Sequence, residues 1–311
     1  MERPPDTPIA RHPAVAVVAA IVALAAGCSS NDDPGPAAPA SPSYFQRLTG
    51  STIAESSPEF SPDGQQVAYE RGDEIWVLDV ATRTERRVAA RGNHPTWSAD
   101  GEALLFVRRD LGGGGPLHRL VRLHLEGATI DTVSADTIDA YEPAASPVGE
   151  AVALRVLSRL DTRQSLRVLA GDDEAHLTGP GPWVDVSPAW SPDGLRIAFV
   201  RLEDAGTTQL LRIPAGGDED PAPLTGRTPG ISGPAWHPDG TRIFFSRAGR
   251  IFSVAATGGA AAEFITGAGF ALAPTVSPDG RRLVFASDRS GNFELWQLVD
   301  PEGLGPGPYA F

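Results

Sequence analysis

The chain has 311 residues, of which 41% are hydrophobic, and a formal net charge of −13. It contains no lysine, so every fixed side-chain cation is an arginine. This negative balance is unfavourable for contact with a phosphate backbone, and we expect no nucleic-acid partner. With 34 glycines and 29 prolines, the composition favours a turn-rich all-β protein with a substantial core.

Residues 1–27 have the features of a lipoprotein signal peptide. Arg3 and Arg11 precede an apolar run at residues 13–26, which is shorter than the ~20 residues that cross a bilayer. The run Leu24-Ala25-Ala26-Gly27-Cys28 resembles the lipobox of bacterial lipoproteins, in which the cysteine thiol receives a diacylglycerol. The alternative is an ordinary secretory signal followed by a chance cysteine. Because Cys28 is the only cysteine, we predict that it carries the acyl anchor, and we expect no other cofactor.

Residues 28–43 are predicted to be a disordered tether. After the cysteine the segment contains only Ser, Asn, Asp, Pro, Gly and Ala, which cannot bury apolar surface. An extended linker of this kind reaches roughly 45 Å, at about 3.1 Å per residue. By resemblance to lipoproteins of Gram-negative bacteria, Ser29 and Ser30 after the cysteine favour sorting to the outer membrane. We therefore expect an exported protein that is lipid-anchored on the periplasmic side.

Residues 44–300 are organised by a repeated turn motif. Six copies of a Pro-x-x-Ser-Pro-Asp-Gly pattern, some of them degenerate, recur 37 to 48 residues apart. This period is typical of four-stranded propeller blades. Proline and aspartate suit the central positions of a tight turn, and glycine accepts the positive φ that follows, so each motif is predicted to join two strands. The copies end at Gly64, Gly101, Gly149, Gly194, Gly240 and Gly280.

Two of the predicted blades depart from the regular pattern. In blade two, the glycine run at residues 112–115 is predicted to be a flexible hairpin, since no Gly-Lys-Ser/Thr follows it as a phosphate loop requires. Blade three is the most degenerate, with Ala145 at a position where other copies have an aromatic residue. Trp97, Trp190 and Trp236 hold that position elsewhere and are predicted to pack between blades.

The last blade has too few strands of its own. After three predicted strands the sequence reaches residues 301–311, which we expect to be a C-terminal tail. Fourth strands of other blades end in Leu-Thr-Gly or Ile-Thr-Gly, and Leu48-Thr49-Gly50 repeats this ending near the start of the chain. We therefore predict that Tyr44–Thr49 complete the last blade. The predicted fold is an all-β, six-bladed propeller closed by an N-terminal strand.

The segment from Ala273 to Trp296 closely resembles the WD-like repeat of TolB-type β-propellers, and the resemblance covers roughly residues 44–299. TolB itself carries an α/β domain ahead of its propeller and is a soluble periplasmic protein that contacts a peptidoglycan-associated lipoprotein. This chain shows no such domain and has its own apparent lipid anchor. The resemblance therefore implies a TolB-like propeller lipoprotein, to which the partner of TolB cannot be transferred.

Enzymatic alternatives were weighed against the residues present. Prolyl oligopeptidase-like enzymes share the repeat but need a hydrolase domain, and no Gly-x-Ser-x-Gly elbow occurs here. Propeller lyases that act on acidic sugars use clustered histidines on a metal, whereas the histidines past the signal segment fall at different strand positions. We predict no catalytic residue and no metal site. The favoured function is a non-catalytic, monomeric scaffold for a protein or peptide; the alternative is a carbohydrate-binding or metal-dependent, lyase-like propeller.

A propeller has two faces, and we expect the binding site on one of them. The turn face carries the Ser-Pro-Asp-Gly turns; the mouth face carries the loops that enter each inner strand and the hairpins between second and third strands. Six mouth-face loops converge on the central channel, which favours binding over the alternative of a merely solvated rim. We predict an acidic mouth face that holds a basic peptide or protein segment, or a divalent cation. The candidate binding residues are His94, Asp136, Asp139, Glu142, Trp183 and Asp185.

Overall fold

The structure, a computed structural model, describes residues 44–109, 117–161, 163–203, 206–267, 269–300 and 302–310. These residues lie in one compact unit, Tyr44–Phe311. The predicted signal peptide, Cys28, the tether and the glycine run at 112–115 lie outside the described residues. Throughout the described ranges, no helix has the length and apolarity needed to cross a membrane.

Six sheets form the blades of a propeller, and in blades 1 to 5 the innermost strand comes first in sequence. Blade 1 contains β2 (Glu55–Phe60), β3 (Gln66–Arg71), β4 (Glu74–Asp79) and β5 (Glu85–Ala90). Blade 2 contains β6 (Gly92–Trp97), β7 (Ala103–Arg109), β8 (His118–His124) and β9 (Ile130–Thr132). Blade 3 contains β10 (Ile138–Ala145), β11 (Val152–Ser158), β12 (Gln164–Ala170) and β13 (Asp173–His176).

The second half of the ring repeats this plan with short additions. Blade 4 contains β14 (Val184–Trp190), β15 (Arg196–Leu202), β16 (Thr207–Pro214), β17 (Ala222–Pro223) and the short β18 (Thr228–Pro229), which pairs with β16. Blade 5 contains β19 (Ile231–Trp236), β20 (Arg242–Arg247), β21 (Arg250–Ala255) and β22 (Ala262–Thr266). Blade 6 contains β23 (Ala271–Val276), β24 (Arg282–Ser287) and β25 (Glu294–Val299).

The ring is closed by β1 (Phe45–Arg47), which supplies the fourth strand of blade 6 and confirms the predicted closure. It pairs antiparallel with β25, Phe45 opposite Leu298. The Leu48 N–H also donates to the Leu295 carbonyl at 2.8 Å, and the Leu48 side chain is buried. The six inner strands contact one another in a closed cycle. Chain ends that share a blade in this way leave no unpaired edge at the seam.

The repeated motifs form the tight turns that the sequence predicts. In blade 1, the Gly64 N–H donates to the Ser61 carbonyl at 2.8 Å, and Gly64 has a φ of 70°. The Ser61 hydroxyl donates to Asp63 Oδ1 at 2.6 Å, and the same carboxylate accepts from the Gln65 N–H at 2.9 Å. This turn is therefore held by its own serine and aspartate, and the Ser191–Asp193 and Ser277–Asp279 pairs repeat the hydroxyl-to-carboxylate contact in blades 4 and 6.

The repeated tryptophans join neighbouring blades, as predicted. Trp97 Nε1 donates to the Glu59 carbonyl of blade 1 at 3.2 Å, and Trp190 and Trp236 repeat this contact with the Ala144 and Ala189 carbonyls at 2.9 and 3.1 Å. Trp97 and Trp236 are buried and Trp190 is half-buried. Each indole thus buries its ring between two blades while its polar N–H keeps a partner.

The C-terminal segment is an ordered part of the fold, which the sequence analysis did not predict. Its last strand, β26 (Tyr309–Ala310), pairs parallel with β22 at the outer edge of blade 5. The Tyr309 hydroxyl donates to Asp300 Oδ2 at 2.7 Å and accepts from the Gly305 N–H at 2.8 Å, while Leu304 is buried. A glycine- and proline-rich segment of this length carries no strand periodicity, so only its tertiary contacts order it.

Candidate functional site

All six inner strands carry the same backbone irregularity, facing the channel. The residue before each repeat proline adopts a left-handed φ between 49° and 55°, and the pairing register of the strand shifts at this point. A residue before proline disfavours the right-handed helical region, and a β-bulge accommodates the extra residue. Because the strain recurs in every blade, it belongs to the architecture. We call these six residues the bulge ring; they are Ser57, His94, Glu142, Ser187, Gly233 and Ala273.

At some of these bulges the backbone N–H donates a hydrogen bond to a side chain. The His94 N–H donates to Glu70 Oε2 at 3.3 Å, and the Ala273 N–H donates to the Ser246 hydroxyl at 3.0 Å. The Ser187 N–H donates instead to Glu142 Oε2 of blade 3 at 2.6 Å. In each case the acceptor comes from the preceding blade, so these contacts tie neighbouring blades together at the channel.

Two carboxylates near the channel, Glu59 and Glu70, are half-buried. Glu59 Oε1 accepts from the Thr96 hydroxyl at 2.9 Å and from the Trp97 N–H at 3.0 Å. Burial nevertheless raises the pKa of Glu59 to about 7, and burial also raises the pKa of Glu70 above its ordinary value. Among the described residues, no group of three or more His, Cys, Asp or Glu side chains is placed to hold a metal ion.

Two of the candidate binding residues, His94 and Glu142, lie on the bulge ring in neighbouring blades 2 and 3. His94 Nδ1 lies 3.3 Å from Asn93 Oδ1, and the imidazole is half-buried. Glu142 Oε1 accepts from Arg155 Nη2 at 3.4 Å, and Glu142 Oε2 accepts from the Ser187 N–H. The structure therefore places both at the channel wall, each with partners inside the ring.

Asp139 and Asp185, predicted to lie on an exposed acidic face, are both buried and paired. Asp185 forms a bidentate ion pair with Arg201, with Nε–Oδ1 and Nη2–Oδ2 distances of 2.7 and 2.9 Å. Asp139 accepts from the His118 N–H at 2.9 Å and lies 3.5 Å from Arg159 Nη1. Both carboxylates therefore stabilise the start of an inner strand.

The remaining two candidates lie nearer the surface of the mouth face. Asp136 is exposed and forms an ion pair with Arg119. Trp183 is half-buried, and the Arg201 guanidinium carbon lies 4.3 Å from its ring centroid, a cation–π contact. Trp183 and Asp185 thus share Arg201, whereas Asp136 lies on a separate loop. The six candidates do not converge on one cluster.

Sequence reasoning missed the arginines that hold these carboxylates. Arg71 and Arg201 lie at or next to the last residue of the second strands of blades 1 and 4. Each bonds an acidic residue sixteen positions earlier, Glu55 or Asp185, near the start of the inner strand. That recurring acid-to-arginine spacing is the signal that could have found them. These acid–arginine pairs at the mouth are structural elements of the blade.

Among the described residues, the mouth face exposes more arginines than carboxylates, which differs from the acidic face that the sequence predicts. Its described loops expose the carboxylates of Asp73, Asp136 and Asp161, because the others turn inward to arginines or backbone N–H groups. More arginines are exposed there, and we call them the mouth arginines. They are Arg91, Arg109, Arg159, Arg163, Arg227 and Arg289.

The turn face carries the negative charge. In its described loops and at the adjoining strand ends, the exposed arginines are Arg83, Arg196 and Arg281. Exposed carboxylates occur on turns of every blade, so the ring is electrostatically polarised between its two faces. They are those of Asp63, Asp100, Glu102, Glu126, Glu150, Asp172, Asp193, Asp218, Glu219, Asp220, Asp239, Asp279 and Glu302.

Comparisons with known proteins agree with this architecture. Residues 180–303 match the family model of the TolB beta propeller domain. The structure is similar to a protein described as TolB from Agrobacterium tumefaciens, with a TM-score of 0.56 and 25% identity over 69% of this chain and 77% of that one. No curated protein sequence matches the chain significantly.

Two further solved structures share the fold at lower identity. TolB from Acinetobacter baumannii has a TM-score of 0.54 and 18% identity, and the match covers 82% of this chain but 57% of that one. An oligogalacturonate lyase in complex with manganese has a TM-score of 0.55 and 18% identity, covering 82% of this chain and 79% of that one. At such identities the likeness concerns the fold alone.

Fold and closure define the class: the protein is a six-bladed β-propeller whose last blade is completed by an N-terminal strand. Its repeats resemble those of TolB-type propellers, and the match of residues 180–303 to the TolB beta propeller domain and the similarity to solved TolB structures agree with that resemblance.

Proposed function

We propose that this protein is an exported, lipid-anchored propeller of the bacterial cell envelope that binds a protein or peptide partner and catalyses no reaction. The observation that carries the proposal is the polarised ring: loops from every blade meet at a mouth face where most exposed charges of the described residues are arginines. Arginine is enriched at protein interfaces and binds carboxylates with two parallel hydrogen bonds. The mouth face is therefore the proposed binding face.

The proposed anchor fits the topology of the ring. Outer strand β1 runs antiparallel to β25, so it begins on the turn face and ends on the mouth face. Tyr44, which precedes it, thus lies at the turn-face end. A chain acylated at Cys28 would enter the ring on the face opposite the mouth arginines.

The chemistry of the mouth face favours an acidic partner segment. The basic segment or divalent cation expected from the sequence was argued from carboxylates that the structure pairs internally. The exposed carboxylates that would complement such a cationic ligand lie on the turn face. Because charge complementarity steers association and excludes like-charged surfaces, each face selects for a different partner.

The test is capture of the partner by crosslinking in intact membranes, followed by purification of the anchored protein. Arg91→Glu with Arg109→Glu reverses two adjacent mouth arginines, and Asp218→Arg with Glu219→Arg is the matched control on the turn face. We expect the first pair to abolish capture and the second to preserve it. Capture lost only in the turn-face pair would contradict the assignment of the binding face.

The lipid anchor is tested separately. The Cys28→Ser variant should leave the membrane fraction; retention after a high-salt wash would contradict the anchor.

A second candidate function is binding or cleavage of an acidic sugar. The same mouth arginines favour it, since uronic acids carry carboxylates, and the fold is shared with an oligogalacturonate lyase. Incubation with oligogalacturonate and Mn²⁺, followed by the ultraviolet absorbance of the new double bond, separates the two. Turnover would replace the scaffold proposal with the lyase alternative.

A further inference from the structure

One buried arginine of the ring has an open hydrogen-bonding edge. In Arg201 the Nε and Nη2 groups, which form one edge of the guanidinium fork, both donate to Asp185. In Arg71 the same two groups donate to Glu55 at 2.9 and 2.6 Å. In Arg155 of blade 3, Nε has no partner, and Nη2 makes a long 3.4 Å contact with Glu142.

The open edge is enclosed by the protein. Arg155 is 7% exposed, and its remaining group, Nη1, donates to Gln164 Oε1 at 3.1 Å. A buried polar group without a partner costs stability and marks a place where a water, ion or ligand is expected. Since Glu142 belongs to the bulge ring, the guanidinium reaches the channel wall.

Neighbouring side chains add hydrogen-bonding groups. The Arg155 guanidinium carbon lies 4.2 Å from the centroid of the Tyr141 ring, and the His118 imidazole lies 4.7 Å from the same ring. His118 Nδ1 is also buried without a hydrogen-bond partner. Burial lowers the pKa of His118, although Asp139 opposes this, so a neutral imidazole is expected near pH 7.

We propose that the Nε/Nη2 edge of Arg155, beside Tyr141 and His118, is a binding subsite for a carboxylate of the ligand. This inference rests on the proposed function, because it places one anchoring contact at the mouth of the channel. The planar fork of arginine matches a carboxylate in geometry, as the Asp185–Arg201 pair shows within this molecule. Arg201 lies opposite Asp185 in its sheet, whereas Arg155 lies opposite Tyr141, so a ligand carboxylate would supply the partner that the neighbouring strand does not.

The surrounding charges favour a single carboxylate over a phosphate. Glu142 and Asp139 lie near the subsite, so a second negative charge on the bound group itself, as in a phosphate, would be repelled. Entry requires Tyr141 to move, since this half-buried ring covers the guanidinium. Side-chain rotation of this kind is common when partners bind.

A carboxylate can come from an acidic peptide or from a uronic acid. The probes are therefore a blocked hexapeptide of alternating Asp and Gly and trigalacturonate, each with a neutral control: the Asn-Gly peptide and the methyl ester. Binding to the full chain is measured by titration calorimetry at low salt. We expect one acid probe to bind at least tenfold more tightly than its neutral control, and the identity of that probe names the source.

Arg155→Gln is expected to weaken this binding at least tenfold. Arg71→Gln is the matched control, because Arg71 is also mostly buried, stacks on an aromatic ring and lies on the mouth side, but its edge is filled; its binding should stay within about threefold. A measurement on the wild-type protein does not depend on whether the variant folds. In an NMR titration, the Arg155 Nε–H nitrogen resonance, assigned by its loss in Arg155→Lys, should shift when the acid probe is added.

Three results would overturn the subsite: unchanged affinity in Arg155→Gln, equal binding of acid and neutral probes, or an Nε–H resonance that does not shift because an internal water alone fills the edge. Failure of the subsite is distinguishable from failure of the proposed function. If Arg155→Gln still captures the crosslinked partner while the Arg91→Glu/Arg109→Glu variant does not, the subsite is wrong and the binding face stands. If both variants capture it, the proposed function fails as well.

Discussion

The turn face and the mouth side of the ring use carboxylates in opposite ways. On the turn face, Asp63 and Asp193 are exposed and fold back onto their own turns. Hydrogen bonds from Ser61 and Ser191, and then from a backbone N–H two residues on, hold the pKa of each carboxyl below its ordinary value. These carboxylates stay charged in water and stabilise a local turn.

On the mouth side and in the channel, carboxylates bond residues distant in sequence. Glu55 is buried against Arg71, and Glu59 bridges blades 1 and 2. Burial raises the pKa of Glu55, Glu59 and Glu70, because removal from water disfavours the charged form. Carboxylates on the turn face therefore make local contacts that water can replace, whereas those on the mouth side make long-range contacts whose loss would lower the unfolding free energy more.

The largest expected effect comes from breaking the closure that joins the two faces. Deletion of residues 44–49 removes β1, which runs from the turn face to the mouth face, together with buried Leu48. The open edge of blade 6 should lower the thermal midpoint by more than about 10 °C and promote aggregation. Differential scanning calorimetry and light scattering check this. Truncation before Tyr44 is the control, and a deletion that melts with the wild type would contradict the closure.

Removal of one buried partner on the mouth side should have the next largest effect. Asp185→Ala leaves Arg201 charged, mostly buried and without its carboxylate, which costs about 3 to 5 kcal/mol of unfolding free energy. Urea unfolding measures the loss. The double variant Asp185→Ala with Arg201→Leu should recover part of it, because no uncompensated charge remains. A single variant that loses no more than the double variant would show that the pair is not coupled.

This contrast explains how much of the molecule could be predicted from its sequence. The Ser61-Pro62-Asp63-Gly64 turn is encoded in adjacent residues, and Leu48-Thr49-Gly50 could be aligned with other strand ends, so the fold and its closure were predictable. The partners of Asp139 and Asp185 were not, since a carboxylate near a loop gives no sign of its burial. The order of residues 302–310 depends on contacts such as Tyr309 with Phe264, which no local pattern encodes.

The half-buried Glu59 carboxylate at the channel should make the unfolding free energy fall as pH rises. Folded Glu59 keeps its proton up to a pKa of about 7, whereas the unfolded chain releases it near 4.5. Between these values the folded state binds more protons, so unfolding free energy should fall as pH rises, by at most about 1.4 kcal/mol per pH unit from this group. Glu59→Gln should flatten the slope between pH 5 and 7, measured by urea unfolding at several pH values. An unchanged slope would show that Glu59 does not titrate there.

The smallest effect is expected where the carboxylate is local and exposed. Asp193→Ala removes the acceptor for the buried Ser191 hydroxyl and for the N–H of exposed Leu195 at 3.0 Å, which can bond water instead. The loss should therefore be about 1 to 2 kcal/mol, the cost of one neutral donor left without its partner, because no charge is left buried. Asp193→Asn, which keeps an acceptor oxygen, should lose less, and both are measured by urea unfolding beside Asp185→Ala. If Asp193→Ala destabilised the ring as much as Asp185→Ala, the turn carboxylates would be as deeply coupled as those at the mouth, and the distinction between the two faces would fail.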